Sequence, residues 1–396
     1  MVRKLLKNPI ILTFVLVMSA VVILSVWMTH SAKEKEGWDS EAMRDLDWVI
    51  EPGVYWDIIM EEVDGQTVFL ADHKFDGKMI LDEQGKPLLR KGLERMYTTY
   101  NSVEFHPAGY GVVLETDSAG NDSYRVENLD GDVLYTGGSQ PIKLTEMAGY
   151  ILPGDGSVVS LETRERIYTP KEGEAVGRQQ GDYWVMTITF PWKTEFNSNT
   201  LCYLRNLDFS IAQDGKLFSY VGFIDGDRVM GTVLDDYDYY GPLPEYDAQN
   251  PKLAETNVIL DGAGNSLLPE DGKYSSEDIN FTRYNWFETR EYTEDTFVTT
   301  IHFLDNMPED DEALKLEPGM VLWSLSEDGL MIFADPGHSG GGEDFVPERR
   351  GVMNRQGDVL LPPIFHNVLK AENNYAVVVL ASEYGVIRIG GDGDEG

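Results

Sequence analysis

Gly351-Val352-Met353-Asn354-Arg355-Gln356-Gly357-Asp358-Val359-Leu360-Leu361 is the stretch that decides the fold. An apolar pair runs into Asn354, two residues and a glycine follow, and a second apolar run leaves. This is hairpin chemistry. An Asp or Asn side chain caps the turn, Gly takes a positive φ, and the two apolar runs pair across it. The pattern recurs at Ile80-Leu81-Asp82-Glu83-Gln84-Gly85, Val126-Glu127-Asn128-Leu129-Asp130-Gly131 and Ile259-Leu260-Asp261-Gly262-Ala263-Gly264, each followed by further apolar residues. Looser relatives end in Asp214-Gly215 and Asp328-Gly329. The spacing suggests units of about 45 residues with insertions, close to one propeller blade.

The surroundings agree. The chain holds 39 Gly and 18 Pro, spread so that short apolar runs alternate with turn residues from Val49 onward. Val68–Leu70, Gly111–Leu114, Trp184–Phe190, Phe297–Phe303 and Tyr375–Leu380 are β-branched or aromatic and too short for helices. No helix longer than about three turns is expected after residue 50. Near the C-terminus, Gly351–Asp358 aligns with Gly385–Asp392, with a Pro-Pro-aromatic element and an apolar strand between them. Over residues 350–392 this layout resembles the WG repeat of bacterial proteins, with Arg350 and Tyr384 where that repeat carries Trp. The resemblance implies a β-repeat scaffold and, for most members, no known enzymatic activity.

The expected fold is therefore all-β: a β-propeller-like domain of about six to eight blades over residues 48–396, with an open stack of hairpins as the alternative. Tyr375–Leu380 should pair with Tyr384–Ile389. A repeat cut off after that strand leaves an unpaired edge, which a shared blade of N- and C-terminal strands would remove.

A different signal precedes this domain. Arg3, Lys4 and Lys7 come first, and Ile10 to Met28 carries no charge. At 1.5 Å per residue such a helix nears the ~30 Å hydrocarbon thickness. Cations only on its N-terminal side keep that end in the cytoplasm. The expected division is a cytoplasmic segment (1–8), a transmembrane signal anchor (9–29), a juxtamembrane stalk (30–47) and an extracytoplasmic domain (48–396). A cleaved signal peptide is the rival, but its apolar region would be shorter and end in small residues. The partner of Ile10–Met28 is membrane lipid, and the expected localisation is the cell membrane, single-pass.

Composition narrows the function. Against 32 Lys and Arg stand 68 Asp and Glu, a formal net charge of −36. Phosphate binding needs a basic surface, so nucleic acid is excluded as a main partner. Anionic head groups should repel the exported domain. One cysteine, Cys202, excludes an intrachain disulfide framework and a multi-cysteine zinc site. Gly337-His338-Ser339-Gly340-Gly341 fits a nucleophile motif but lies in loop context, without the strand and helix such an elbow requires.

Two readings attach to one acidic, tyrosine-rich run. Asp235, Asp236 and Asp238 are candidate Ca²⁺ ligands, since that ion takes carboxylate oxygens. Tyr237, Tyr239, Tyr240 and Tyr246 form a candidate contact surface for a protein or glycan ligand. Asp305–Glu312 reads as an ordinary acidic loop. No catalytic residue and no cofactor is assigned, with Ca²⁺ at these aspartates as the alternative. The expected function is a membrane-anchored binding or scaffold module at a bacterial cell surface. The alternative is a glycan-active hydrolase with acidic residues in a propeller channel, which requires carboxylates that converge in space.

Overall fold

The computed structural model describes residues 45–88, 105–189, 200–244, 253–268, 279–282, 284–292, 296–309, 312–326, 328–335, 338–339, 345–346 and 348–390, with Met43 and Tyr97. Beyond residue 50, the described residues are strands, turns, two 3-10 turns, Gln213–Gly215 and Leu304–Asn306, and the π-helical Tyr97, so the expectation of no long helix holds among them. No described helix is long and apolar enough to cross a membrane, and Ile10–Met28 lies outside the described residues.

The strands make a seven-bladed β-propeller. Blade 1 is Tyr55–Val63, Gln66–His73 and Gly77–Leu81; blade 2 is Phe105–His106, Tyr110–Thr116, Asp122–Asn128 and Val133–Gly138. Blade 3 is Ile142–Leu144, Tyr150–Pro153, Val158–Ser160 and Arg166–Tyr168. Blade 4 has two three-stranded halves, Glu174–Gln180, Tyr183–Thr189 and Thr200–Asn206, then Lys216–Asp225, Arg228–Asp238 and Glu255–Leu260. The halves are joined through Cys202 and Phe218. Blade 5 is Asn280–Phe281, Trp286–Tyr292, Phe297–Phe303 and Leu314–Lys315; blade 6 is Val321–Leu325, Met331–Asp335, Arg349–Met353 and Val359–Phe365. His338–Ser339, from the nucleophile-like motif, pairs with Phe345–Val346 in a small ribbon outside the blades.

Blade 7 closes the ring. Asn367–Glu372, Tyr375–Leu380 and Glu383–Arg388 are joined by Trp48–Ile50, the first strand of the domain. Tyr375 opposes Arg388 and Leu380 opposes Glu383, as the C-terminal pattern led us to expect. Trp48 opposes Ile387 and Ile50 opposes Val386, so the two ends of the chain share one blade. This replaces the open stack, whose terminal edges would be unpaired.

The core is a ring of apolar layers between neighbouring blades. Val352, Phe365, Val378 and Ile387 fill the layer between blades 6 and 7. Ile58, Phe69, Val377 and Val386 fill the one between 7 and 1. A layer of the same kind, around Leu204, Phe218 and Val229, packs the two halves of blade 4 together. The period-2 strands supply these faces, with alternate side chains to either side of each sheet.

The repeated turns form as their sequence dictates. Asn354 Oδ1 accepts the N–H groups of Gln356 (3.0 Å) and Asp358 (2.9 Å), and Gly357 has φ 85°. Asp82, Asn128 and Asp261 do the same before Gly85, Gly131 and Gly264. All four follow the third strand of a unit. The two looser relatives do not: Gly215 ends the 3-10 turn inside blade 4, and Gly329 lies between the first two strands of blade 6. The true counterpart in blade 4 is Asn206–Ser210, where Phe209 takes the left-handed place of glycine at φ 64°.

Candidate functional site

Strands of each blade alternate in direction, so the turns after first and third strands all lie at one end of the propeller. At that end the blades surround a cavity of about 740 Å³. Blades 3 to 7 contribute to its wall, among them Glu146, Asp225, Tyr284, Asn285, Asp305, Arg355, Lys370 and Glu372. A second hollow of about 510 Å³ shares Glu146 and runs along Arg178–Gln180 and Tyr220–Gly222.

Each polar side chain is set by its strand end. Asp225 closes the strand Lys216–Asp225 beside Gly226, which takes φ 54° in the turn. Asp305 lies in the 3-10 turn Leu304–Asn306 that follows Phe297–Phe303 and is held by two arginines. Arg355 Nη1 lies 2.7 Å from Asp305 Oδ2, and Arg228 Nη1 donates to the Asp305 carbonyl at 2.9 Å. The Arg355 guanidinium also stacks over Phe303, 4.6 Å from the ring centre. Across the cavity, Lys370 Nζ lies 2.7 Å from Glu372 Oε2 and 3.3 Å from the Met60 carbonyl. Glu146 Oε2 accepts the Gly181 N–H at 3.0 Å.

Burial pushes the Asp225 carboxyl above the usual carboxylate range, and the nearby Asp305 adds to this. Arg228, Arg355 and a hydrogen bond from Asn285 pull the other way without cancelling it. Glu61, behind Lys370, is likewise raised by burial, with Lys370 opposing and Glu372 adding. The cavity thus gathers carboxylates in unlike environments, two of them matched by cations. It can receive a polar ligand through charge and hydrogen bonds, with Tyr284 and the exposed Leu369 as apolar patches.

The residues singled out in the sequence lie elsewhere. Asp235, Asp236 and Asp238 end the strand Arg228–Asp238, where neighbours alternate sides. Asp238 Oδ1 is taken by the N–H groups of Tyr240 (2.8 Å) and Gly241 (2.7 Å). No group of three or more His, Cys, Asp or Glu that could hold a metal ion occurs among the described residues, these aspartates included. Strand alternation thus puts Asp235 and Asp236 on opposite faces of the sheet, and one Asp238 oxygen is committed to the turn.

Of the tyrosines, Tyr240 is 71% exposed, whereas Tyr237 and Tyr239 pack on the core between blades 3 and 4. The Tyr239 hydroxyl accepts from Lys171 Nζ at 2.7 Å and Arg205 Nη2 at 3.3 Å, and its ring centre is 4.6 Å from that of Tyr203. Tyr239 is thus a packing residue, and Tyr246 lies outside the described residues. Asp305, read as part of an ordinary loop, belongs to the cavity wall. Arg355 was in view as one of the two spacer residues of the turn motif. Nothing local distinguishes Asp225 or Glu372 from other acidic strand ends.

No family model matches the chain, and no curated protein matches it. Solved structures do. A prolyl endopeptidase is similar at 13% identity and TM-score 0.42, over 89% of this chain and 56% of that one. The WD40 domain of SCAP from fission yeast is similar at 10% and 0.38, over 86% and 94%. TolB from Acinetobacter baumannii is similar at 11% and 0.23, over 85% and 79%. This chain spans about half the length of the prolyl endopeptidase it matches. At these identities and TM-scores the likeness says nothing of activity, substrate or partner. The class defined by the fold is an all-β propeller protein with a cavity of mixed polar and apolar lining at one end.

Proposed function

We propose that the protein is a membrane-anchored, extracytoplasmic binding module without enzymatic activity, held by Ile10–Met28 and receiving its ligand in the central cavity. The convergence of polar side chains from five blades on one opening supports this reading best. The ligand is polar and carries positive charge. Arg355 and Lys370 already face Asp305 and Glu372. Glu146 takes a backbone N–H, and the charges of Arg228 and Arg355 do not cancel the burial of Asp225. A net charge of −36 adds a negative field that a concave site concentrates. The test is fluorescence titration of the full chain in vesicles with trilysine and with triglutamate. Saturable trilysine binding is expected, weakened about tenfold or more by the pair Glu146→Gln and Asp225→Asn. Equal behaviour of the two peptides overturns the reading.

A hydrolase is the second reading, favoured by one observation. Asp225 and Asp305 share the wall, and Asp225 is raised while Asp305 is ion-paired, the contrast an acid–base pair uses. Turnover of aryl glycosides that Asp225→Asn abolishes would put this reading first.

A further inference from the structure

The chain enters the propeller at the cavity end. Trp48–Ile50 runs antiparallel to Glu383–Arg388, so its first residue lies where that strand finishes, beside the turn of Asn373 and Asn374. Asp47 reinforces the point, its carbonyl accepting the Arg388 N–H at 2.9 Å. The fixed part of the chain begins earlier still. Met43 is only 6% exposed and sits in the layer between blades 6 and 7 with Phe365, Val368 and Ile389. Leu46 packs on the same layer, and Trp48 Nε1 donates to the Met43 carbonyl at 3.1 Å. The segment assigned to the stalk is therefore docked on the domain from Met43 onward.

This shortens the tether. Between Met28 and Met43, residues 29–42 span at most about 48 Å when extended, and about 21 Å as a helix. A globular partner of about 100 residues, with a radius of gyration near 13 Å, is about 34 Å across. It enters such a gap only with the tether drawn out to roughly 70% of its full reach. At the opposite end of the propeller, Trp56 is 63% and Phe75 89% exposed.

We propose that the cavity end is the surface turned to the bilayer, and that the partner it receives is carried by the same membrane: the extracytoplasmic part of a second membrane protein, not a soluble macromolecule from outside. The inference rests on the anchor assigned above to Ile10–Met28. The lipid itself is a poor occupant, because a chain of net charge −36 is repelled by anionic head groups.

The test uses the full chain in lipid vesicles, with Cys202→Ser removing the native thiol. Gln356→Cys places a thiol on an exposed turn at the cavity end, and Phe75→Cys places one at the far end. Each is labelled with a small maleimide and with a maleimide coupled to a globular protein. The small reagent should label both. The protein-sized reagent should label Phe75→Cys at least about tenfold faster than Gln356→Cys, and a Gly/Ser insertion of about 20 residues after Ser31 should abolish the difference by lengthening the tether. Equal rates on vesicle-bound protein, or a difference that survives the insertion, overturn the inference alone. Failure of the protein to float with the vesicles overturns the anchor and the inference with it.

Discussion

Trp48 and Gly385 share one space. A Cβ at Gly385 would stand 2.6 Å from the Trp48 ring and 3.0 Å from the Ile50 carbonyl. The first strand of the domain reaches the last only over a residue with no side chain. Gly351 holds the corresponding place in blade 6, where a Cβ would meet the Phe333 ring at 2.8 Å and the Leu361 carbonyl at 2.5 Å. Gly385→Ala should destabilise the domain by about 1–3 kcal/mol, the usual cost of overpacking, since the contacts include backbone that cannot swing aside. Thermal melting of the variant measures it, and an unchanged midpoint would show that the blade-closing contact is not tight.

Truncation probes the same closure more coarsely. Removing Tyr384–Gly396 deletes the strand that pairs with both Tyr375–Leu380 and Trp48–Ile50. The ring is then left open at a buried layer, and the whole domain should lose cooperative melting. Removing only Gly390–Gly396 spares every one of those pairs and should leave the midpoint within a few degrees. Alike melting of the two truncations counts against the closing role of this strand.

Phe209 tests how strain and packing trade. Its φ of 64° disfavours any residue but glycine. Its ring lies stacked between Tyr168 and Trp184, at 4.4 Å and 5.2 Å between centres, and its carbonyl accepts from Arg205 Nη1 at 2.6 Å. Phe209→Ala keeps the strained backbone and loses the stack, which should cost about 3–5 kcal/mol. Phe209→Gly loses the stack but releases the strain, so it should be the milder variant by about 1 kcal/mol. Denaturant melts of the pair decide this, and an alanine variant as stable as the glycine variant would remove the strain argument.

Acid should act in opposite directions on two sets of aspartates. Exposed Asp117 and Asp261 are held below the usual range by their asparagine side-chain and backbone N–H partners. The stability they add is full above the unfolded carboxylate value and is lost as pH falls through their lower folded values. Asp261→Asn keeps the acceptor, as Asn128 and Asn354 do naturally, and should flatten the acid limb of a melting-versus-pH curve. A steeper acid limb in Asp261→Asn would contradict this.

Asp225 carries the contrary sign. Its folded value is raised, so it binds a proton more readily folded than unfolded. Its contribution is most favourable in acid and falls as pH rises from the ordinary carboxylate range through the raised value. Asp225→Asn should therefore melt at or above the wild-type temperature near pH 7, with the gap closing in acid. A less stable variant at pH 7 would mean that the charge of Asp225 is compensated within the fold.

The hairpins were legible in the sequence because their causes are local. An Asx side chain reaches N–H groups two and four residues on, and a glycine follows three residues after it, so Asp82, Asn128, Asp261 and Asn354 announce their turns within six residues. The pairing of Tyr375–Leu380 with Glu383–Arg388 was legible for the same reason, and the shared blade followed from the need to cover an edge. Only the tertiary structure decided the rest. Phe209 replaces the expected glycine because Tyr168 and Trp184, from two other strands, supply the packing that holds it there. Glu146, Asp225, Asp305, Arg355 and Glu372 come from five blades and meet because the ring closes. In sequence each is one acidic or basic residue near a turn, since the contacts that assemble them join separate blades, as Arg355 joins Asp305 fifty residues away. Packing between blades 3 and 4 likewise took Tyr239 from the expected contact surface into the apolar layer.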